Sequence, residues 1–157
     1  MRSITWTLLM TALSLLLMTA CRAPQVRYAN RLVGEWNIAT EKRVLVKADG
    51  KEEILVDTTN VGTLMLAETE EDGIFLSYTL SLADGSFSIQ DQPFKLDNYG
   101  KRAFFYYFYC SELFGCDMIA TIEEDQKDRQ VWSFFRRAGT TSQGPEHRKT
   151  TWFLERK

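Results

Sequence analysis

A two-residue alternation of apolar and polar side chains constrains the fold of this chain more than any other feature. Successive side chains of a β-strand point to opposite faces of the sheet, so alternation separates a buried face from a solvated one. In the clearest stretch one face is wholly apolar and the other mostly hydroxylic: Ile74, Leu76, Tyr78, Leu80 and Leu82 against Phe75, Ser77, Thr79 and Ser81. The pattern predicts a half-buried strand.

The same alternation continues to the C-terminus, and turn residues interrupt it repeatedly. It predicts strand segments at 31–40, 43–47, 51–58, 62–68, 74–82, 86–91, 101–110, 116–123, 129–136 and 149–156. The first two can form one long bent strand, which gives about nine strands. Asp49-Gly50, Asp72-Gly73 and Asp84-Gly85 lie between segments, where glycine supplies the positive φ of a tight hairpin turn. Because no segment reads as a long amphipathic helix, parallel βαβ units are excluded.

A meander of this many strands exposes two sheet edges unless it rolls up. Pairing the last strand with the first removes both edges. The sequence therefore predicts an all-β, antiparallel up-and-down meander of about eight to nine strands, closed into a barrel over residues 31–157. A two-sheet β-sandwich is the alternative, because it has the same periodicity. The polar stretch 139–149 is predicted to be a mobile loop.

The first twenty residues have the layout of a secretory signal and are not part of the fold. Arg2 supplies the positive charge, an apolar run extends from Ile4 to Met18, and Thr19 and Ala20 are small residues suited to peptidase cleavage. The run is shorter than the roughly 20 residues that span a bilayer. We predict a signal peptide over residues 1–20 that is removed.

The end of this run, Leu17-Met18-Thr19-Ala20-Cys21, resembles the lipobox of bacterial lipoproteins. The resemblance implies that Cys21 becomes the mature N-terminus and is held in the membrane by several acyl chains such as palmitate, since one chain alone binds only marginally. Residues 21–30 are polar and contain proline, which suits a tether between lipid and fold. Arg22 stands where the inner-membrane retention signal of this class is an aspartate. The resemblance thus implies an outer-membrane protein of the bacterial cell envelope, facing the periplasm.

Cys110 and Cys116 remain once Cys21 is lipidated, in a chain bound for an oxidising compartment. We predict a structural disulfide between them, and a ring of about seven residues contributes roughly 2 kcal/mol on the chain-entropy model. The rival interpretation is a redox or metal pair. It is disfavoured because the spacing is not Cys-x-x-Cys and the single histidine, His147, is distant in sequence.

The first strand carries a second family resemblance. Gly34-Glu35-Trp36 resembles the Gly-x-Trp of lipocalins and of lipocalin-like bacterial lipoproteins, in which a basic residue near the end of the barrel packs over this tryptophan. Arg156 is the matching residue. Glycine lets the backbone pass beneath a large ring, and a stacked arginine adds a cation–π contact of about 0.5 to 2 kcal/mol. The resemblance implies that Gly34, Trp36 and Arg156 close the barrel.

Six consecutive aromatic residues, 104–109, form the most apolar strand segment. Alternation separates Phe104, Tyr106, Phe108 and Cys110 from Phe105, Tyr107 and Tyr109. The strand is either buried on both faces, with the 139–149 loop as a cover, or one face lines an apolar cavity or meets a partner. We predict that Tyr78, Tyr106 and Trp132 line the ligand pocket if there is one.

Charge and motifs exclude several classes of function. Without residues 1–20 the chain has 18 basic and 21 acidic side chains, which argues against nucleic acid because phosphate binding needs a basic surface. The acidic clusters at 68–72 and 123–125 lie at predicted turns and lack the ligand spacing of a calcium loop, so we predict no metal and no cofactor. No nucleophile elbow, zinc-protease motif or phosphate loop is present, and we predict that the chain is not an enzyme.

The lipocalin resemblance therefore implies a non-catalytic, lipid-anchored envelope protein. It would bind a small apolar ligand, or an envelope partner, through the open end of its barrel. The alternative is a structural or accessory subunit that docks onto a membrane-associated complex through an aromatic surface. An open pocket would indicate ligand binding, whereas a filled barrel with an aromatic patch outside would indicate docking.

Overall fold

The computed structural model describes residues 24–69, 75–97, 100–110, 113–142 and 144–157, and for residues 24–27, 75, 106–110 and 113–117 it describes the backbone only. The predicted signal peptide and Cys21 lie outside the described residues. The side chains of Cys110 and Cys116 also lie outside them, so the disulfide stays a prediction.

The described residues form one helix and eight strands. In chain order these are α1 (Pro24–Leu32), β1 (Gly34–Val46), β2 (Glu52–Glu68), β3 (Phe75–Leu82), β4 (Ser88–Leu96), β5 (Arg102–Cys110), β6 (Leu113–Asp125), β7 (Arg129–Thr141) and β8 (Gly144–Arg156). Each strand is antiparallel to the next, and β1 also pairs with β8 from Trp36↔Arg156 to Val46↔His147. The sheet is a closed barrel. This confirms the predicted meander and rules out the sandwich.

The strand count is eight because two pairs of predicted segments merge. Segments 31–40 and 43–47 form the single strand β1, as the sequence allowed. Segments 51–58 and 62–68 form β2, in which Asn60 adopts a positive φ of 54°. A residue of this kind bends a strand without ending it, since asparagine tolerates the left-handed region better than most residues. The predicted break is therefore a bend.

The barrel interior is filled largely by aromatic and leucine side chains. Its largest fully buried members are Trp36, Trp132, Tyr78, Phe94, Phe105, Leu32, Ile38, Leu64, Leu66, Leu76, Leu80 and Leu96. The buried indole N–H groups all have acceptors: Trp36 donates to the Leu32 carbonyl at 2.7 Å and Trp132 to Gln130 Oε1 at 3.3 Å. Trp152 donates to Glu41 Oε2 at 2.7 Å. This satisfies the rule that a buried polar tip needs a partner.

Helix α1 covers one end of the barrel, which we call the closed end. Ala29 and Leu32 are buried in the core, and Arg31 Nη2 lies 2.5 Å from Oδ2 of Asp125, the last residue of β6. Pro24 opens the helix, a position where its missing N–H costs nothing. The tether predicted over residues 21–30 included no helix. The packed fold begins earlier than predicted because Ala29 and Leu32 lie on one face of a short helix.

Gly100 allows α1 to approach the β4–β5 turn, which yields a prediction. A Cβ at Gly100 would lie 2.1 Å from Cδ2 of Tyr28, whereas one at Gly85 would have no atom within 4 Å, although both have a positive φ, 64° and 70°. Gly85→Ala should cost only the backbone strain of about 1 to 2 kcal/mol. Gly100→Ala should cost roughly 1 to 3 kcal/mol more by overpacking. Urea denaturation measures both, and equal costs would contradict this contact.

The opposite end, which we call the open end, carries the β1–β2, β3–β4 and β7–β8 turns. The loop predicted at 139–149 is wrong, because β7 runs to Thr141 and pairs with the start of β8 through Thr141↔Gly144. This hairpin extends beyond the apolar core, so its side chains are polar on both faces. Periodicity cannot reveal a strand that backbone hydrogen bonds alone hold in place.

Candidate functional site

A cavity of about 220 Å³ lies inside the barrel at the open end. Strands β8, β1, β2 and β3 and the β3–β4 turn contribute its walls. The lining residues are Glu41, Arg43, Val56, Thr58, Asn60, Val61, Leu80, Leu82, Ala83, Asp84 and Trp152. Concave, mainly apolar spaces with a few polar groups are the usual form of small-molecule sites.

Glu41 is the buried polar group of this cavity, with 5% of its surface exposed. Its Oε2 accepts a hydrogen bond from Trp152 Nε1 at 2.7 Å, and its Oε1 lies 2.6 Å from Arg43 Nη2. The carboxylate thus has a partner on each oxygen, as burial of a charge requires. The Arg43 side chain is 42% exposed, so the ion pair extends from the barrel wall toward the mouth.

A bulge brings Glu41 into the interior. Trp36 and Ile38 point inward, and strict alternation would continue with Thr40 and Lys42. The register shifts between Ile38 and Thr40, so that Glu41 pairs with the inward-facing Trp152. Sequence reasoning missed this residue because one extra residue in a strand reverses which face the following side chains occupy.

The buried charges of the cavity lining favour a neutral ligand. Glu41 and Arg43 neutralise each other, and the lining is apolar at Val56, Leu80 and Leu82. The third charged residue of the lining, Asp84, is exposed in the β3–β4 turn, where its carboxylate accepts hydrogen bonds from Ser86. Within the described part of the chain, Glu41 is the partner of one Arg43 nitrogen, and a guanidinium has five N–H donors in all. The remaining donors suit an uncharged oxygen acceptor on an otherwise apolar molecule.

The predicted ligand residues are placed differently from expectation. Tyr78 and Trp132 have no exposed surface and do not line this cavity. Phe105 joins them in the core, with ring centroids 5.0 Å from Tyr78 and 5.6 Å from Trp132. The side chain of Tyr106 lies outside the described residues. Among the β5 side chains that the structure describes, Phe105 is therefore the aromatic residue that faces the core, and this part of the barrel interior is filled.

The three residues predicted to close the barrel lie together at the closed end. Arg156 Cζ lies 4.5 Å from the centre of the Trp36 ring, and Arg156 Nη1 donates to the Val33 carbonyl at 3.1 Å. Its other nitrogens donate to the carbonyls of Arg31 and Lys127. A Cβ at Gly34 would lie 2.8 Å from Arg156 Nη1, so glycine leaves room for the guanidinium. These contacts hold the fold and do not reach the cavity.

The outer face of β7, β8 and β1 carries a second, shallower groove of about 520 Å³. Val131 and Phe153 lie in it, and Phe135 beside it is 54% exposed. The Ser133 hydroxyl and the Lys149 ammonium, 3.2 Å from Oε1, hold the pKa of Glu123 below its usual value. The groove thus combines exposed aromatic side chains with fixed charges at its rim.

The described residues contain neither a metal-binding cluster nor a membrane-spanning helix. No cluster of three or more His, Cys, Asp or Glu residues there could hold a metal ion. No helix in the part of the chain that the structure describes is long and apolar enough to cross a bilayer.

Comparison with known proteins gives likeness at the level of the fold. No protein-family model and no curated protein matches the chain. The chain is similar to a redesigned β-barrel at 17% identity, with a TM-score of 0.44 and coverage of 83% of this chain and 96% of that one. It is also similar to a de novo designed fluorescence-activating β-barrel at 16% identity, with a TM-score of 0.36 and coverage of 82% and 96%. An S-type phycobiliprotein lyase from Guillardia theta matches at 10% identity, with a TM-score of 0.39 and coverage of 83% and 91%.

Proposed function

We propose that this chain is a non-catalytic, lipid-anchored protein of the bacterial cell envelope that binds a small, neutral, mainly apolar molecule. The cavity at the open end carries the proposal. Its apolar walls supply affinity by burying ligand surface, and the Glu41–Arg43 pair supplies a fixed polar contact without net charge. The anchoring rests on the lipobox-like sequence ending in Cys21.

The ligand itself can be tested directly on protein purified from its native membranes. Native mass spectrometry should show the lipidated chain with an additional small mass that is lost on collisional activation. A co-purified protein in place of a small molecule would support the accessory-subunit alternative. Neither species, together with failure to bind any apolar probe, would refute ligand binding.

Filling the cavity should weaken the binding of a neutral apolar probe. Thr58 lines the cavity, and its neighbour Thr59 pairs with Thr40 on the other face of the sheet. In a fluorescence titration with N-phenyl-1-naphthylamine, Thr58→Trp should weaken binding at least about tenfold, a loss of roughly 1.4 kcal/mol. Thr59→Trp is the matched control and should leave affinity within about twofold of the native value. Equal affinities of the two variants would place the probe elsewhere.

Lipid attachment yields a separate prediction for Cys21. Labelling cells with an alkyne analogue of palmitate should mark the native protein, and the Cys21→Ser variant should be unlabelled and absent from the membrane fraction. Several acyl chains anchor a protein stably, whereas their complete loss leaves no apolar attachment. Membrane retention of an unlabelled Cys21→Ser variant would show that something other than a lipid holds the chain.

A second candidate function is docking onto a membrane-associated complex, as a structural or accessory subunit. The observation in its favour is the pair of exposed aromatic side chains on the outer face, Phe135 at 54% and Phe153 at 37%. Large exposed apolar side chains grouped on one face are typical of interaction surfaces. The double variant Phe135→Ser and Phe153→Ser would abolish co-purification of a partner and leave cavity binding intact.

A further inference from the structure

The lining of the open-end cavity separates its ion pair from most of its aliphatic surface. Glu41 and Arg43 lie on β1, beside Trp152 of β8. The aliphatic lining residues come from β2, β3 and the β3–β4 turn: Val56, Val61, Leu80, Leu82 and Ala83. Thr58 and Asn60 of β2 add uncharged polar groups. Since the strand order around the barrel is β8, β1, β2 and β3, a ligand meets the ion pair on one side and mainly aliphatic groups on the other.

Arg43 lies closer to the mouth of the cavity than Glu41 does. Strand β1 runs from the closed end to the open end, and the two residues are two positions apart on its inner face. Glu41 pairs with Trp152 of β8 and Arg43 pairs with Thr150, so the two pairs are about 7 Å apart along the strands. Glu41 is buried, whereas the Arg43 side chain is 42% exposed. A ligand that enters from the mouth therefore reaches the guanidinium before the carboxylate.

The guanidinium of Arg43 offers hydrogen-bond donors and no acceptor. It has five N–H groups, of which one carboxylate can occupy at most two. Its contact with Glu41 joins Nη2 to Oε1 at 2.6 Å, and the other carboxylate oxygen, Oε2, accepts a hydrogen bond from Trp152. At least three N–H groups are therefore left for solvent or a ligand. The ligand atom that replaces solvent at Arg43 must be an acceptor, and a carbonyl oxygen meets this requirement.

Glu41 decides which charge the ligand oxygen can carry. A ligand carboxylate at Arg43 would gain the guanidinium, but it would also lie beside the Glu41 carboxylate and would lose the water that solvates it in solution. An alkylammonium at Glu41 would meet the opposite problem, because Arg43 lies beside it. We propose that the Glu41–Arg43 pair makes the cavity selective for an uncharged carbonyl compound, such as a ketone, ester or amide, over a fatty acid or an alkylamine of equal length. This inference rests on the proposed ligand-binding function.

Three straight-chain compounds of eight carbons test this selectivity: 2-octanone, octanoate and octylammonium. They match the cavity in size, because 220 Å³ holds roughly eight methylene groups at the packing density of protein interiors. Each compound is titrated by calorimetry at neutral pH into the full-length protein in lipid nanodiscs, with empty nanodiscs as the blank. The native protein should bind 2-octanone at least about tenfold more tightly than either ion.

Removing one member of the pair should change the order of affinities in a direction set by the member that is left. In Glu41→Gln the charge of Arg43 is uncompensated, so octanoate should bind at least about tenfold more tightly than 2-octanone. In Arg43→Met the charge of Glu41 is uncompensated, so octylammonium should become the tightest of the three ligands. The indole N–H of Trp152 keeps an acceptor in Glu41→Gln, which should therefore fold.

Two further variants control for net charge and for folding. Lys42→Met removes the same charge from the neighbouring position, but Lys42 lines the groove on the outer face, so this variant should keep the native order of affinities. The double variant Glu41→Gln and Arg43→Met has no charge in the pair. It should still reject both ions, and it should bind 2-octanone about tenfold more weakly than the native protein does. This result measures the donor role of Arg43 even if Arg43→Met alone does not fold.

The possible failures can be told apart. Equal binding of all three compounds to the native protein, or an unchanged order of affinities in Glu41→Gln, would overturn the selectivity and leave cavity binding standing. The same change of order in Lys42→Met would also overturn it, because the net charge of the protein would then account for the effect. Failure of all three compounds to bind the native protein would overturn the proposed function as well.

Discussion

Phe105→Ala should lower the free energy of unfolding by about 3 to 5 kcal/mol, the largest effect of any single truncation that we expect in this core. The ring has no exposed surface, and its centroid lies 5.0 Å from that of Tyr78 and 4.8 Å from that of Phe94, both edge-on. Trp132 and Phe134 pack against its other sides, 5.6 and 5.9 Å away. Removing it leaves a cavity among large rings that cannot collapse.

The neighbouring Phe104 provides the matched control. It is the same residue type on the same strand, but its side chain is partly exposed on the outer face. Phe104→Ala should cost less than about 1.5 kcal/mol, because little buried surface is lost. Urea denaturation of both variants measures the difference. Comparable costs would mean that both faces of β5 are buried, which was one of the two interpretations that the sequence left open.

The second large effect is expected for Arg156→Ala, at roughly 2 to 4 kcal/mol. The guanidinium lies over Trp36 and donates to three backbone carbonyls, those of Arg31, Val33 and Lys127. Truncation removes the cation–π contact and the donors at once. Two of these carbonyls lie at the C-terminal end of α1: Arg31 is in its last turn and Val33 directly follows it. Loss of these hydrogen bonds should therefore also accelerate amide hydrogen exchange in residues 28–32.

Two further variants separate geometry from charge at this end. Arg156→Lys keeps the charge but cannot reach three carbonyls, so it should recover less than half of the loss. Lys157→Ala removes a neighbouring charge whose only described ion pair is with the exposed Glu35, and it should cost less than about 0.5 kcal/mol. Full recovery by lysine would show that charge alone holds the closed end, contrary to the contacts.

The fold could be predicted from sequence wherever one face of a strand is apolar. Leu76, Tyr78 and Leu80 face the core as alternation requires, and so do Trp132 and Leu154. Prediction failed where the pattern carries no burial signal, as in the polar β7–β8 hairpin. It also failed where the backbone bends without stopping, as at Asn60. Both are decided by backbone hydrogen bonds, which residue types do not reveal.

The cavity was harder to predict than the fold. Its buried acid, Glu41, follows a bulge in β1. No residue type near Ala39 marks the position at which the alternation of inward and outward side chains reverses. Two of the aromatic residues expected to line a pocket, Tyr78 and Trp132, are instead part of the filled core, where Phe105 packs against both. Aromatic content indicates a large apolar volume, and it does not indicate whether that volume is occupied by the chain itself or by a guest.

The position of α1 has a consequence for how the barrel stands on a bilayer. The helix covers the closed end and begins at Pro24, three residues after Cys21, a span of at most about 11 Å of extended chain. A lipid at Cys21 would therefore hold the covered end against the headgroups. Strands of thirteen residues with a typical tilt place the opposite rim roughly 30 Å higher, pointing into the aqueous space. A ligand in the cavity would then exchange with the aqueous phase, and not with the membrane leaflet below.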